Sequence, residues 1–146
     1  MQSLDALLKL PNVDRDIIEK TVRDFLDCRA RSDRKAYFAF LSPAAEITIV
    51  GDPRLHPYSG RYSGEEGIRQ LLRRIDTEFI YLESEILDTV VDHDRAVVRR
   101  MKRMRQIGTG EVREQHFCTW MRFHGGKIIE IVEYSDTALT ISLSQP

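Results

Sequence analysis

Cysteine is nearly absent from this chain. The two present in 146 residues, Cys28 in a helical pattern and Cys118 in a strand pattern, have no Cys or His neighbour at finger spacing. That leaves neither a disulfide framework nor a thiolate metal site, and both read as free, buried thiols of a reducing cytosol. A surplus of one charge is also missing, 22 Lys and Arg standing against 23 Asp and Glu. The overall field therefore gives nucleic acid or an anionic membrane no reason to bind. Long apolar runs are missing too. The opening MQSLDALLKLPNVDR has its apolar patch cut by Asp5, Lys9 and Pro11, unlike a signal peptide, and no later stretch is long enough to span a bilayer. No two of His56, His93, His116 and His124 are spaced as ligands on one strand or helix, so no metal and no other cofactor is expected. A cytoplasmic protein follows from these absences.

What remains is an ordinary globular composition, 42% hydrophobic and 31% charged, enough for one domain over residues 1–146 with a real core. From Val13 to Arg31, Ile17, Ile18, Val22, Phe25 and Leu26 recur at three and four, an amphipathic helix entered at Asn12 or Asp14 after Pro11. A short helix after Ser32 and Asp33 carries Tyr37, Phe38, Phe40 and Leu41 and is ended by Pro43. Glu46 to Val50 reads as a brief strand. The loop that follows, GDPRLHPYSGRYSG, holds Pro53, Pro57, Gly51, Gly60 and Gly64. Ser63 and Glu66 form a capping box for a third helix with Ile68, Leu71, Leu72 and Ile75 on one face, running to about Asp76.

From there the period changes to two. Phe79 to Val91, Arg95 to Ile107, Glu111 to Phe123 and Lys127 to Asp136 are four long strands, turning at Asp92 to Asp94, Gly108 to Gly110, and Gly125 to Gly126. Helices first and a meander last give an α+β class, an antiparallel sheet with helices packed on one face.

Taken together, Val50-Gly51-Asp52-Pro53 at a strand end, Tyr62-Ser63-Gly64 opening the helix of Ile68-Arg69, and a meander closing on Gly126-Lys127-Ile128 and Glu133-Tyr134-Ser135-Asp136 resemble one family. It is the SnoaL-like and ketosteroid-isomerase-like group of the nuclear transport factor two superfamily. The resemblance spans about residues 14–138. It implies a cone-shaped curved antiparallel sheet with the N-terminal helices on its concave face, around an apolar pocket. It says little about the reaction, because this fold hosts isomerases, cyclases, dehydratases, epoxide hydrolases and non-catalytic binders.

Three carboxylates are the catalytic candidates. Asp52 matches the general base of the steroid isomerases, where desolvation at a pocket mouth would raise its pKa; it also reads as a turn aspartate before Pro53. The oxyanion-hole partners of that mechanism fall at Thr119 and Phe25, of which the first donates one hydrogen bond and the second none. In the epoxide hydrolase alignment the arginine falls at Arg100, one acid at Lys102 and the other at Glu133, so a water held between two acids does not form. Asp136 matches the acid of SnoaL-type cyclases, with Tyr134 as a neighbouring donor; its other reading is a cap on a strand end.

The resemblance lines the pocket with Phe25, Tyr58, Phe117, Thr119, Met121, Phe123 and Tyr134. The basic run Arg99, Arg100, Lys102, Arg103, Arg105 alternates between faces and reads as an edge paired with Glu83, Glu85, Glu111 and Glu114. If Arg100 and Lys102 instead point into the cone, an anionic ligand is implied, since two unpaired buried cations are costly. The resemblance places His116, Cys118, Trp120, Arg122 and His124 on the outer face, which in this superfamily is often a dimer interface, and so implies a homodimer. His56 reads as a solvated loop residue, or as a proton carrier or lid.

The functional expectation is a cofactor-independent isomerase, cyclase or dehydratase acting by acid–base chemistry on a small apolar carbonyl compound, with Asp136 or Asp52 as the acid or base. The alternatives are a non-catalytic ligand-binding or dimerisation module, and the small subunit of a ring-hydroxylating oxygenase. The partners implied are a small apolar or weakly anionic molecule and a second copy of the chain.

Overall fold

The switch from a helical to a strand period takes place between adjacent residues. Helix α3 (Gly64–Glu78) hands the chain directly to β3 (Phe79–Asp92), with Phe79 as both its C-cap and the strand's first residue. The computed structural model describes residues 4–144, with side chains from 15 onward. Before α3 come α1 (Leu4–Ala30), α2 (Arg34–Ala39), β1 (Leu41–Ile49) and β2 (Gly60–Ser63); after β3 come β4 (Arg95–Gln106), β5 (Val112–His124), β6 (Lys127–Ser135) and α4 (Thr137–Ser144). No helix among the described residues is long and apolar enough to cross a membrane.

The strands form one curved, unclosed sheet in the order β2-β1-β6-β5-β4-β3. Every pairing is antiparallel except β1 with β6, which is parallel. Consecutive strands from β3 onward are joined by short turns, and Gly125 and Gly126 both take positive φ, as a two-residue hairpin of matching twist requires. Helices α1 and α3 lie across the concave side. Their apolar stripes, Val22, Phe25 and Leu26 on one and Ile68, Leu71 and Leu72 on the other, are buried together with Val98, Met121 and Ile128 of the sheet. Phe25 stacks on Tyr37 at 4.5 Å between ring centroids. Burying each such side chain contributes about 1.5–3 kcal/mol.

Several local expectations give way to tertiary contacts. Helix α1 begins at Leu4, not at Asn12 or Asp14: Pro11 removes one backbone hydrogen bond without ending the helix. Leu41 and Pro43 belong to β1, whose register shifts between Leu41 and Glu46. The capping box does not form. Ser63 is the last residue of β2, and its hydroxyl donates to Glu46 Oε2 across the ladder at 3.0 Å, while Glu66 accepts from Arg73 and Gln70. Strand β2 was hidden in the glycine- and proline-rich loop. Helix α4 was hidden because TALTISLS shows no helical period.

Candidate functional site

Alternation along three neighbouring strands sends Arg100, Lys102 and Met104 of β4, Phe117, Thr119 and Met121 of β5, and Ile131, Glu133 and Ser135 of β6 into the concave side. Arg100 sits opposite Phe117, and Thr119 opposite Glu133. With the helices above, these residues line two small adjoining compartments, each with a cavity volume of about 50 Å³. Ile49, Ile75, Tyr81 and Glu133 border both. The inner one is closed by Phe25, Arg29 and Tyr37, the outer one by His56, Tyr58, Phe79 and, from α4, Thr140 and Leu143.

Glu133 is the only carboxylate on either lining among the described residues. Arg100 Nη2 donates to its Oε2 at 2.7 Å, and Arg100 Nε donates to Thr119 Oγ1 at 3.2 Å. Arg100 is 4% exposed; a guanidinium this deep is tolerable because its partner is charged and hydrogen-bonded. Lys102 has no such partner. It is 5% exposed, its Nζ lying 4.2 Å from the Tyr81 ring centroid and 4.9 Å from that of Phe117. Burial, and then the nearby Arg100 charge, push its pKa well below the ordinary lysine value. The run around them therefore divides as alternation demands, Arg99, Arg103 and Arg105 outward and Arg100 and Lys102 inward. Of the outer pairings expected for it, Arg103 with Glu83 forms, at 3.5 Å; Glu111, just before β5, and Glu114 lie instead against Arg113 and His116 of β5. Arg100 is paired with Glu133, so of the two inward cations only Lys102 is without a carboxylate partner among the described residues.

A second cationic cluster braces the helices. Arg29 donates to Asp76 Oδ1 at 2.9 Å and to the Tyr81 hydroxyl at 3.2 Å, and Arg34 pairs with the other oxygen of Asp76. This ties α1 and α2 to the end of α3 and to β3.

His56 is buried, not solvated, at 3% exposure, and borders the outer compartment. Its Nδ1 accepts the Tyr58 backbone N–H at 3.2 Å, which assigns the remaining ring proton to Nε2. Burial lowers its pKa below the ordinary histidine value, so the imidazole is neutral and serves as a donor. The sequence held one signal for this packing. A Cβ on Gly51 would lie 3.0 Å from the His56 ring. The Tyr58 hydroxyl is likewise buried and, among the described residues, makes no hydrogen bond of normal geometry, with the Glu78 carboxylate near it.

Of the residues expected at the site, Phe25, Tyr58, Arg100, Lys102, Phe117, Thr119, Met121 and Glu133 line the two compartments. Asp52 lines neither. Its carboxylate accepts Arg54 Nη2 at 2.8 Å and the Arg54 backbone N–H at 2.9 Å, and these bonds lower its pKa where desolvation was expected to raise it. Asp136 is exposed and caps α4: its Oδ1 accepts the Leu139 N–H at 3.2 Å, and its carbonyl accepts from Gln115 Nε2 at 3.1 Å. Tyr134 is 51% exposed and faces outward. Pairing Thr119 with Glu133 turns Ile131, Glu133 and Ser135 to the inner face of β6 and Tyr134, expected at the pocket, outward. Phe123 is buried, but at the hairpin end, away from both compartments.

The sequence profile of the SnoaL-like domain matches residues 22–131. No curated protein matches the chain. Among solved structures, the fold is similar to an NTF2-like protein of unknown function from Burkholderia pseudomallei K96243, 22% identical, with a TM-score of 0.76 covering 88% of this chain and 97% of that one. It is also similar to a putative isomerase from Rhodopseudomonas palustris, 15% identical, TM-score 0.75, covering 86% and 97%. A third similar structure is TerC co-crystallised with polyporic acid, 16% identical, TM-score 0.75, covering 85% and 95%. Identities this low speak for the fold alone.

Proposed function

The chain belongs to the SnoaL-like domain family, and from that premise we propose that it is a cytoplasmic, single-domain, cofactor-independent enzyme moving a proton on a small, mostly apolar carbonyl compound. This is isomerase, cyclase or dehydratase chemistry. The observation that carries the reading is Glu133, a carboxylate at the junction of both compartments with Arg100 bonded to one of its oxygens.

Arg100 bonds one carboxylate oxygen, Oε2, and leaves Oε1 to take a proton from the carbon beside the carbonyl. The negative charge that then develops on the carbonyl oxygen is stabilised by the Arg100 guanidinium, held by Thr119 before the substrate arrives. His56 Nε2–H and the Tyr58 hydroxyl are donors on the outer side that orient the ligand, while Phe79, Phe117 and Leu143 keep water out. Asp52 and Asp136 play no part in this scheme.

The test begins with a thermal-shift screen of aldehydes, ketones and keto acids, followed by NMR detection of deuterium uptake from D₂O at the carbon next to the carbonyl. Glu133→Gln should slow that uptake by about 10²- to 10⁴-fold, with the ligand-induced shift retained; Asp52→Asn and Asp136→Asn should leave it unchanged. Uptake at an undiminished rate in Glu133→Gln would sink the assignment of Glu133 as the base. A second reading, a non-catalytic binding module, is favoured by one observation, that Glu133 is already neutralised by Arg100. Stabilising ligands that exchange no deuterium would establish it.

A further inference from the structure

We propose that Lys102 acts as a nucleophile, forming an imine with the carbonyl carbon of an aldehyde or ketone held in the cavity. The inference rests on the carbonyl reading above and narrows it to aldehydes and ketones, since acids and esters do not give stable imines.

The geometry carries it. Lys102 projects from the middle of β4 into the inner compartment, 5% exposed, between the faces of Tyr81 and Phe117. Among the described residues no carboxylate pairs with its Nζ and no acceptor takes a hydrogen bond from it, whereas Arg100, two residues earlier on the same face, has both. A structural lysine at this depth would be expected to have a counter-ion, because an isolated buried ammonium is among the costliest groups a fold can hold. Desolvation and the neighbouring guanidinium instead favour the uncharged amine, the arrangement that turns a lysine into a nucleophile near neutral pH.

The step balances without an oxidant or reductant. The Nζ lone pair bonds to the carbonyl carbon while the C=O π pair moves to oxygen, giving a carbinolamine once a proton passes from nitrogen to oxygen. The nitrogen lone pair then expels that oxygen, which takes a second proton and leaves as water, and a protonated C=N bond remains. The two aromatic faces that flank Nζ stabilise this iminium cation. Glu133, on the same lining, is placed to relay protons during the loss of water. An iminium withdraws electrons from the adjacent carbon more strongly than a carbonyl does, so the proton that Glu133 removes becomes more acidic.

Hexanal and benzaldehyde are the probes. Each is added to the intact protein with sodium cyanoborohydride, which reduces an imine to a stable secondary amine, and the adduct is located by intact mass and peptide mapping. The expected result is one adduct, of the aldehyde's mass less one oxygen, on the peptide bearing Lys102, formed ahead of labelling at Lys20, Lys35 and Lys127. It should vanish in Lys102→Met and Lys102→Arg. Labelling spread over the other lysines with Lys102 untouched, for probes that raise the melting temperature, overturns the proposal. The two readings fail separately. An unlabelled Lys102 with Glu133-dependent deuterium uptake intact removes the imine and leaves the base; a labelled Lys102 with uptake unchanged in Glu133→Gln keeps the imine and removes the base.

Discussion

Lys102 and Glu133 differ in a way that composition hides. Both are charged residues inside the cavity, but Glu133 arrives with Arg100 bonded to it and Lys102 arrives alone. A buried group without its partner is held there at the expense of stability, as functional sites often are. Lys102→Met, of similar length and no charge, should therefore stabilise the protein by roughly 1–3 kcal/mol at neutral pH. The sign with pH is fixed by the downward shift. As pH rises toward the ordinary lysine pKa of 10.5, the folded chain gives up the Lys102 proton before the unfolded one does, so the penalty is present at lower pH and fades as pH reaches that value. Thermal melts of wild type and Lys102→Met across that range should converge at the alkaline end. At this scale the sequence was legible in part. The alternation of the basic run placed Arg100 and Lys102 on one face, but not which face that was. His56 was undervalued because its burial depends on a loop folding back over Gly51, a contact that no period announces.

Among the elements, α4 shows why Asp136 drew attention. A carboxylate just after the last strand is what a catalytic acid and a helix N-cap have in common. The structure supplies the helix: Asp136 accepts the Leu139 N–H, and Gln115 of β5 bonds both the Asp136 carbonyl and the Thr140 hydroxyl. Asp136→Ala should lower stability by about 1 kcal/mol, and Asp136→Asn by much less, since asparagine caps nearly as well. Chemical denaturation separates the two, and neither substitution should affect deuterium uptake. The long elements were legible because each repeats its period many times. The short ones were not, since four residues of β2 and eight of α4 are stabilised by what they touch, not by propensity.

For the whole molecule, the convex side of the sheet is what remains unaccounted for. Val97 and Trp120 are register partners there, with Arg95 over the indole at 5.9 Å, and Cys118, Val90 and Tyr134 are exposed on the same sheet. We propose that a second copy of the chain covers this face. Sedimentation equilibrium should then report a dimer that Trp120→Glu converts to monomer with its melt still cooperative; a monomeric wild type would end the idea. The amino-acid sequence by itself determined the α+β class and the long strands with their turns, because a period repeated along many residues needs no partner to be read; the family likeness came from the order and spacing of its motifs. Tertiary structure alone decided which acid lines the cavity. A strand's two faces differ by one residue, so the pairing of Thr119 with Glu133 turns Glu133 in and Tyr134 out. That register is set by the neighbouring strand and the helices above, and not by the strand's own residues.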